Sequence, residues 1–134
     1  MSRSSRPAPL QLAPRRPARP ATRRVALVTF AQAQSLDLVG PLEVFAAATH
    51  LMHRRDASAP PPYETIVLAD RAGPVRMSSG LVVQAERAFG EVRGGIDTLL
   101  VSGGDVRAPL ADVALRRWLR AMARRVRRLG SVCS

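Results

Sequence analysis

Cys133 is the only cysteine among 134 residues, and it ends the apolar run LGSVC over positions 129–133. An α/β protein sets a nucleophile at such a strand end because the tight turn into the next helix lifts the side chain out of the sheet, where the helix N-terminus stabilises its anion. Two other features hold comparable positions. Asp37 follows the apolar run 25–30 and a short loop, and Gly103-Gly104 follows the apolar run 96–101. Taken singly, each has a plain structural explanation: an aspartate at a helix start caps it, a glycine pair turns the chain, and a lone cysteine packs in a core. Taken together, they fall beyond the carboxyl ends of three strands, where open α/β sheets bind ligands. A thiol beside a carboxylate and backbone amides can attack an electrophilic carbon or hold a small polar molecule.

The elements that would position these groups can be read from periodicity. Residues 25–30, VALVTF, form a continuous β-prone run of the kind buried on both faces of a parallel sheet. After a loop over 31–36, the segment from Asp37 has Pro41 near its first turn. Val44, Phe45, Ala48, Leu51 and Met52 then predict one buried helix face. A Pro-rich connection over 56–62 leads to a second strand at 63–69. Residues 75–77 and 81–83, separated by Ser78-Ser79-Gly80, predict a hairpin. The run 96–101 is a further buried strand. Residues 112–128 carry Leu115, Trp118, Leu119, Met122 and Val126 at three-four spacing with arginines between them, which predicts an amphipathic helix. Strands alternating with helices, plus one hairpin, imply an α/β three-layer sandwich with a mainly parallel, flavodoxin-like sheet.

Composition bounds the rest. The length suits one domain with a real core, and a single cysteine excludes an internal disulfide framework or a multi-cysteine metal cluster. His50 and His53 stand one turn apart near a helix end, where cations suit the dipole, and lack the companions a metal site needs. No metal or cofactor is expected. No stretch approaches the roughly 20 apolar residues of a membrane span, and no apolar core of a secretory signal is present. A cytoplasmic protein with no membrane partner is therefore expected.

The net charge of +11 suggests nucleic acid, but its distribution does not. All 21 basic residues are arginine. Seven lie within the first 24 positions and seven between Arg116 and Arg128, whereas positions 25–115 hold seven against ten acids. The basicity thus belongs to one end and one helix face. Residues 1–23, with prolines at 7, 9, 14, 17 and 20, are expected to form a disordered Arg/Pro-rich tail, with the domain over 24–134.

Four segments in order, LDLVGPLEVF (36–45), GPVRMSSGL (73–81), DTLLVSGG (97–104) and SVC (131–133), resemble consecutive motifs of the ThiJ/PfpI superfamily, within the class I glutamine amidotransferase-like fold. They are most similar to the N-terminal domain of AraC-type transcriptional regulators. The resemblance implies that Asp37 is the acid bonded to the nucleophile, Cys133 the elbow cysteine, and Gly103, Gly104 and Ser134 the ligand-binding or oxyanion backbone. Glu43 is the weaker acid. Such domains continue past the elbow with a helix and further strands, so the chain is expected to be the N-terminal part of one, incomplete at its C-terminus. No histidine follows Cys133, which disfavours a Cys-His hydrolase. The resemblance further implies a small metabolite as ligand, DNA contacted only through a C-terminal module outside this chain, and a homodimer as one expected assembly. Two other expectations stand beside the sensor: part of a stand-alone cysteine enzyme similar to isocyanide hydratases, and an inactive shortened product.

If the arginines are only solvated surface, gel-shift titrations with unrelated duplexes will show weak, sequence-independent binding. It will vanish at moderate salt and largely disappear on deletion of residues 1–23. Salt-resistant preference for one duplex would contradict this reading.

Overall fold

The computed structural model describes residues 21–133; the tail expected over 1–23 lies outside the described residues except for its last three, of which Arg23 already opens the first strand. Five parallel strands form the main sheet in the order β5-β2-β1-β6-β7, and a separate antiparallel hairpin pairs β3 with β4. The strands are β1 Arg23–Val28, β2 Tyr63–Ala69, β3 Gly73–Arg76, β4 Val82–Ala85, β5 Arg87–Ala88, β6 Thr98–Val101 and β7 Arg128–Ser131. The helices are α1 Ser35–Arg55, α2 Arg107–Ala111 and α3 Val113–Ala123, with one 3-10 turn over Phe89–Glu91. This is the three-layer α/β arrangement that the alternation of runs predicts.

β1 lies at the centre because its side chains are apolar on both faces. Residues 25–28 are no more than 1% exposed. Ala26 and Val28 face one layer with Leu68, Leu99, Leu115, Trp118 and Met122, whereas Val25 and Leu27 face the other with Leu38, Val67, Val75 and Met77. Period-two alternation across a doubly covered strand produces both cores. α3 presents Leu115, Trp118 and Met122 as buried residues, as its spacing predicts, and Trp118 anchors further by donating its indole N–H to the Val92 carbonyl at 2.7 Å. Asp112 caps this helix, its carboxylate accepting from the Ala114 and Leu115 amides.

Two expectations need correction. The amphipathic run 112–128 ends as helix at Ala123, because the Arg127 and Arg128 amides bond the Asp97 carbonyl and Arg128 must pair with Thr98 to open β7. In α1, Pro41 lies seven residues in rather than near the first turn, and the sheet-facing line is Leu38, Leu42 and Phe45. Val44, Leu51 and Met52 point to solvent. This helix is apolar on several faces, so spacing alone could not choose the buried one. The choice is made by Phe45, which meets the Tyr63 ring edge-on at 5.0 Å between centroids. Among the described residues no helix is long and apolar enough to cross a membrane.

At the amino edge of the sheet, Asp97 joins three segments. Its carboxylate accepts from Arg127 at 2.7 and 2.8 Å and lies 4.0 Å from Arg23. The Arg127 hydrogen bonds, above all, lower its pKa from 3.8 to about 2. A carboxyl whose folded pKa is depressed adds stability that is present above about pH 4 and is lost as pH falls from about 4 towards 2. Asp97→Asn should therefore lower the Tm at pH 7 by about 4 °C or more and flatten its acid dependence below pH 4 relative to the parent. Calorimetric melts from pH 7 to 2 check both, and an unchanged Tm at pH 7 would contradict the clamp.

Candidate functional site

Strand order reverses direction at β1, with β2 added on one side and β6 on the other, and open α/β sheets bind ligands beyond the carboxyl ends of the strands at such a point. The loops leaving β1 and β6 are laced together there. Ala33 and Gly104 form an isolated antiparallel bridge, with Gln34 N–H donating to the Gly103 carbonyl at 3.0 Å. The hairpin joins the same cluster: Gln32 N–H donates to the Arg76 carbonyl and Ser78 N–H to the Ala33 carbonyl, both at 3.0 Å. Gln32 reaches these partners with φ of 66°, a conformation that costs an L-residue about 1 kcal/mol or more.

Asp37 stands in the first turn of α1 and is buried. Its Oδ2 accepts the Gly103 N–H at 3.1 Å, across 66 residues of sequence. That bond ties the start of α1 to the loop after β6. Gly103 has no room for a side chain. A Cβ built there would lie 2.7 Å from Asp37 Oδ2, 2.8 Å from Cys133 Cβ and 2.9 Å from the Val132 carbonyl oxygen. Asp37 Oδ2 and Cys133 Cβ therefore cannot be farther apart than the two distances together, 5.5 Å. The aspartate, the glycine pair and the cysteine meet at one point, as their positions after three strands suggested.

Cys133 is exposed and carries φ of 70°. A non-glycine residue held in this region marks a strained turn just past the end of β7. Gly103 offers its amide to Asp37, so that N–H is already occupied. Gly104, with φ of 121°, is exposed, and its own N–H has no hydrogen-bond partner among the described residues. Of the glycine pair, Gly103 thus has its amide bonded and Gly104 has its amide unbonded among the described residues. The Ser134 amide, expected to do the same, lies outside the described residues. Glu43 is exposed two turns along α1 from Asp37. Asp105, next along the loop, is paired with Arg107 at 2.6 and 2.8 Å, which lowers its pKa to about 2.

A family model described as the DJ-1/PfpI family matches residues 23–134. The chain belongs to this family. It is 34% identical over 113 residues to an uncharacterized protein of the cpoL 5' region of Streptomyces lividans, covering 83% of this chain and 73% of that one. The fold is similar to a ThiJ/PfpI family protein from Pseudomonas syringae, with a TM-score of 0.67 and 22% identity over 95% of this chain. It is also similar to an AraC family transcriptional regulator from Pseudomonas putida, with a TM-score of 0.63 and 23% identity over 81% of this chain. The chain spans 49% of the former structure and 63% of the latter, about half to two thirds of their lengths.

Within this DJ-1/PfpI domain, sequence reasoning missed Gln32 and Ala33. A glutamine gives no signal for a left-handed backbone, and Ala33, fully buried, looks like any loop alanine. The crowding at Gly103 makes a direct prediction. Gly103→Ala must push apart Asp37, Cys133 and the Val132 backbone, and should cost about 1–3 kcal/mol in urea unfolding. Gly130→Ala meets only a Leu100 methyl, at 3.4 Å, and should stay within about 1 kcal/mol of the parent. Equal effects of the two would show that the close approach is not what this glycine serves.

Proposed function

We propose that the crevice at Asp37, Gly104 and Cys133 senses a small metabolite, amine-containing or amino-acid-like, as part of an AraC-type transcriptional regulator. DNA is read, on this proposal, by a C-terminal module outside this chain, and the protein works in the cytoplasm as a homodimer. The observation that carries the reading is the Asp37 to Gly103 bond, which joins the loop after β6 to the start of α1 within 5.5 Å of Cys133. A ligand touching this bond acts on three strand ends at once, which suits a device that converts occupancy into a change of shape. Similarity to the Pseudomonas putida AraC family regulator supports the choice of regulator.

The strained φ of Cys133 supports a second reading, a cysteine enzyme of the isocyanide hydratase kind. There the thiolate adds to the electrophilic carbon, Asp37 carries the proton, the Gly104 amide stabilises developing charge, and water releases the formamide and the thiol.

One experiment separates the two. The chain, Cys133→Ser and Asp37→Ala are melted with the amino acids and their decarboxylated amines, and each is assayed for conversion of cyclohexyl isocyanide to the formamide. The sensor reading expects a ligand that raises Tm for the parent and for Cys133→Ser but not for Asp37→Ala, with no turnover. Turnover abolished by Cys133→Ser would replace it with the enzyme.

A further inference from the structure

A second cavity, of about 210 Å³, lies above the carboxyl ends of β1 and β2 on the α3 side of the sheet. Phe30, Asp70, Phe89, Pro109, Asp112 and Leu115 define it, and none of Asp37, Gly103, Gly104 or Cys133 takes part. At roughly 30 Å³ per water it has room for about seven waters, or for one compact organic molecule.

Its charge runs opposite to that of the chain. The only charged residues lining it are Asp70 and Asp112, and none of the described arginines contributes. The Asp70 carboxylate has no hydrogen bond or ion pair with any described residue. Asp112 uses Oδ1 to cap α3, which leaves Oδ2 without a partner among them. Asp70 is exposed and Asp112 half-buried, and a recess lined by two aspartates and no basic residue favours a cation over an anion.

The remaining walls are apolar and already in place. Phe89 and Leu115 are buried. Phe89 is packed at 5.5 Å between ring centroids against Trp118, which is itself fixed by its bond to the Val92 carbonyl. Phe30 adds a second ring, and such rings attract an ammonium to their faces. Pro109 closes the side formed by α2, whose end is held by the Asp112 amide donating to the Ala108 and Pro109 carbonyls. A bare divalent ion would find two carboxylates and little else, far short of the six or more oxygens that calcium takes.

We propose that this cavity is a ligand site for a small organic cation, with an ammonium against Asp70 and Asp112 and an aliphatic body between Phe30, Phe89 and Leu115. It is separate from the crevice at Cys133 and does not depend on the function proposed for that crevice.

Trp118 is the only tryptophan and touches a wall of the cavity, so its emission reports occupancy. The 134-residue chain is titrated with n-butylammonium and tetramethylammonium chloride, with n-butanol as neutral counterpart, butyrate as anion and calcium chloride. Ionic strength is held with sodium chloride, and calorimetry is run alongside. At least one ammonium should bind saturably, n-butanol at least tenfold more weakly, and butyrate and calcium not at all. Asp70→Asn should weaken ammonium binding at least fivefold, while Glu64→Gln, which removes an exposed carboxylate paired with Arg24 outside the cavity, should leave it unchanged. Equal binding of n-butanol would reduce the site to an apolar hole, and calcium binding would make it an inorganic cation site. Undiminished affinity in Asp70→Asn, an equal loss of affinity in Glu64→Gln, or no saturable signal with either ammonium would each overturn the proposal.

Discussion

The carboxyl edge of this domain is organised by a single close approach, the Gly103 amide against the Asp37 carboxylate with no side chain between them. Because the bond joins the first turn of α1 to the loop after β6, it helps set the register of two loops that lie beyond the main sheet. The Ala33 to Gly104 bridge and the Gln32 and Ser78 backbone bonds extend the same lattice to the hairpin. Gln32 and Cys133 both hold positive φ, and conformations of that kind persist only where neighbouring contacts over-determine them. Here the neighbours are backbone groups, which cannot turn aside as a flexible side chain would.

The two edges of the sheet divide the work. At the amino edge, Asp97 gathers Arg127, Arg23 and the backbone of residues 127 and 128 into one charged clamp, so its carboxylate is engaged in holding the fold. At the carboxyl edge, polar groups are left accessible: the Gly104 amide, the Asp70 carboxylate and the exposed Cys133. Separating them lets loops at one end vary in chemistry while the clamp and the two cores keep the strands aligned.

Much of this was legible in the sequence, for identifiable reasons. The strands at 25–30 and 63–69 and the Leu115, Trp118, Met122 stripe could be read because burial on both faces, or on one stripe, leaves a periodic record in residue type. The convergence of Asp37, Gly103 and Cys133 could be read from their shared place after strands, and the DJ-1/PfpI match agrees with the motifs that suggested it. The buried face of α1 could not, because its residues are apolar all round and the decision rests with Tyr63 on another strand. Nor could the two-residue β5 or the short α2, since elements of that length are defined by partners rather than by pattern. The end of α3 was hidden for the opposite reason: helical spacing continued to Val126, but the pull of Asp97 and the pairing of β7 overrode it.

Net charge is a poor guide to what such a protein binds. A chain at +11 attracts anions from a distance, yet at physiological ionic strength that field is screened within about 8 Å, and the last steps of recognition are set by the groups in the cavity wall. Aspartate recurs at the carboxyl edge, at the start of α1 and in the lining of the cavity. Asp37 is buried and bonded to Gly103, so it shapes the crevice at Cys133 more than it charges it; Asp70 and Asp112 keep acceptor oxygens without partners among the described residues. What this edge can offer a ligand is therefore decided less by the overall charge than by which polar groups the fold has already satisfied: the Gly103 amide is taken by Asp37, whereas the Gly104 amide and the Asp70 carboxylate are not bonded among the described residues.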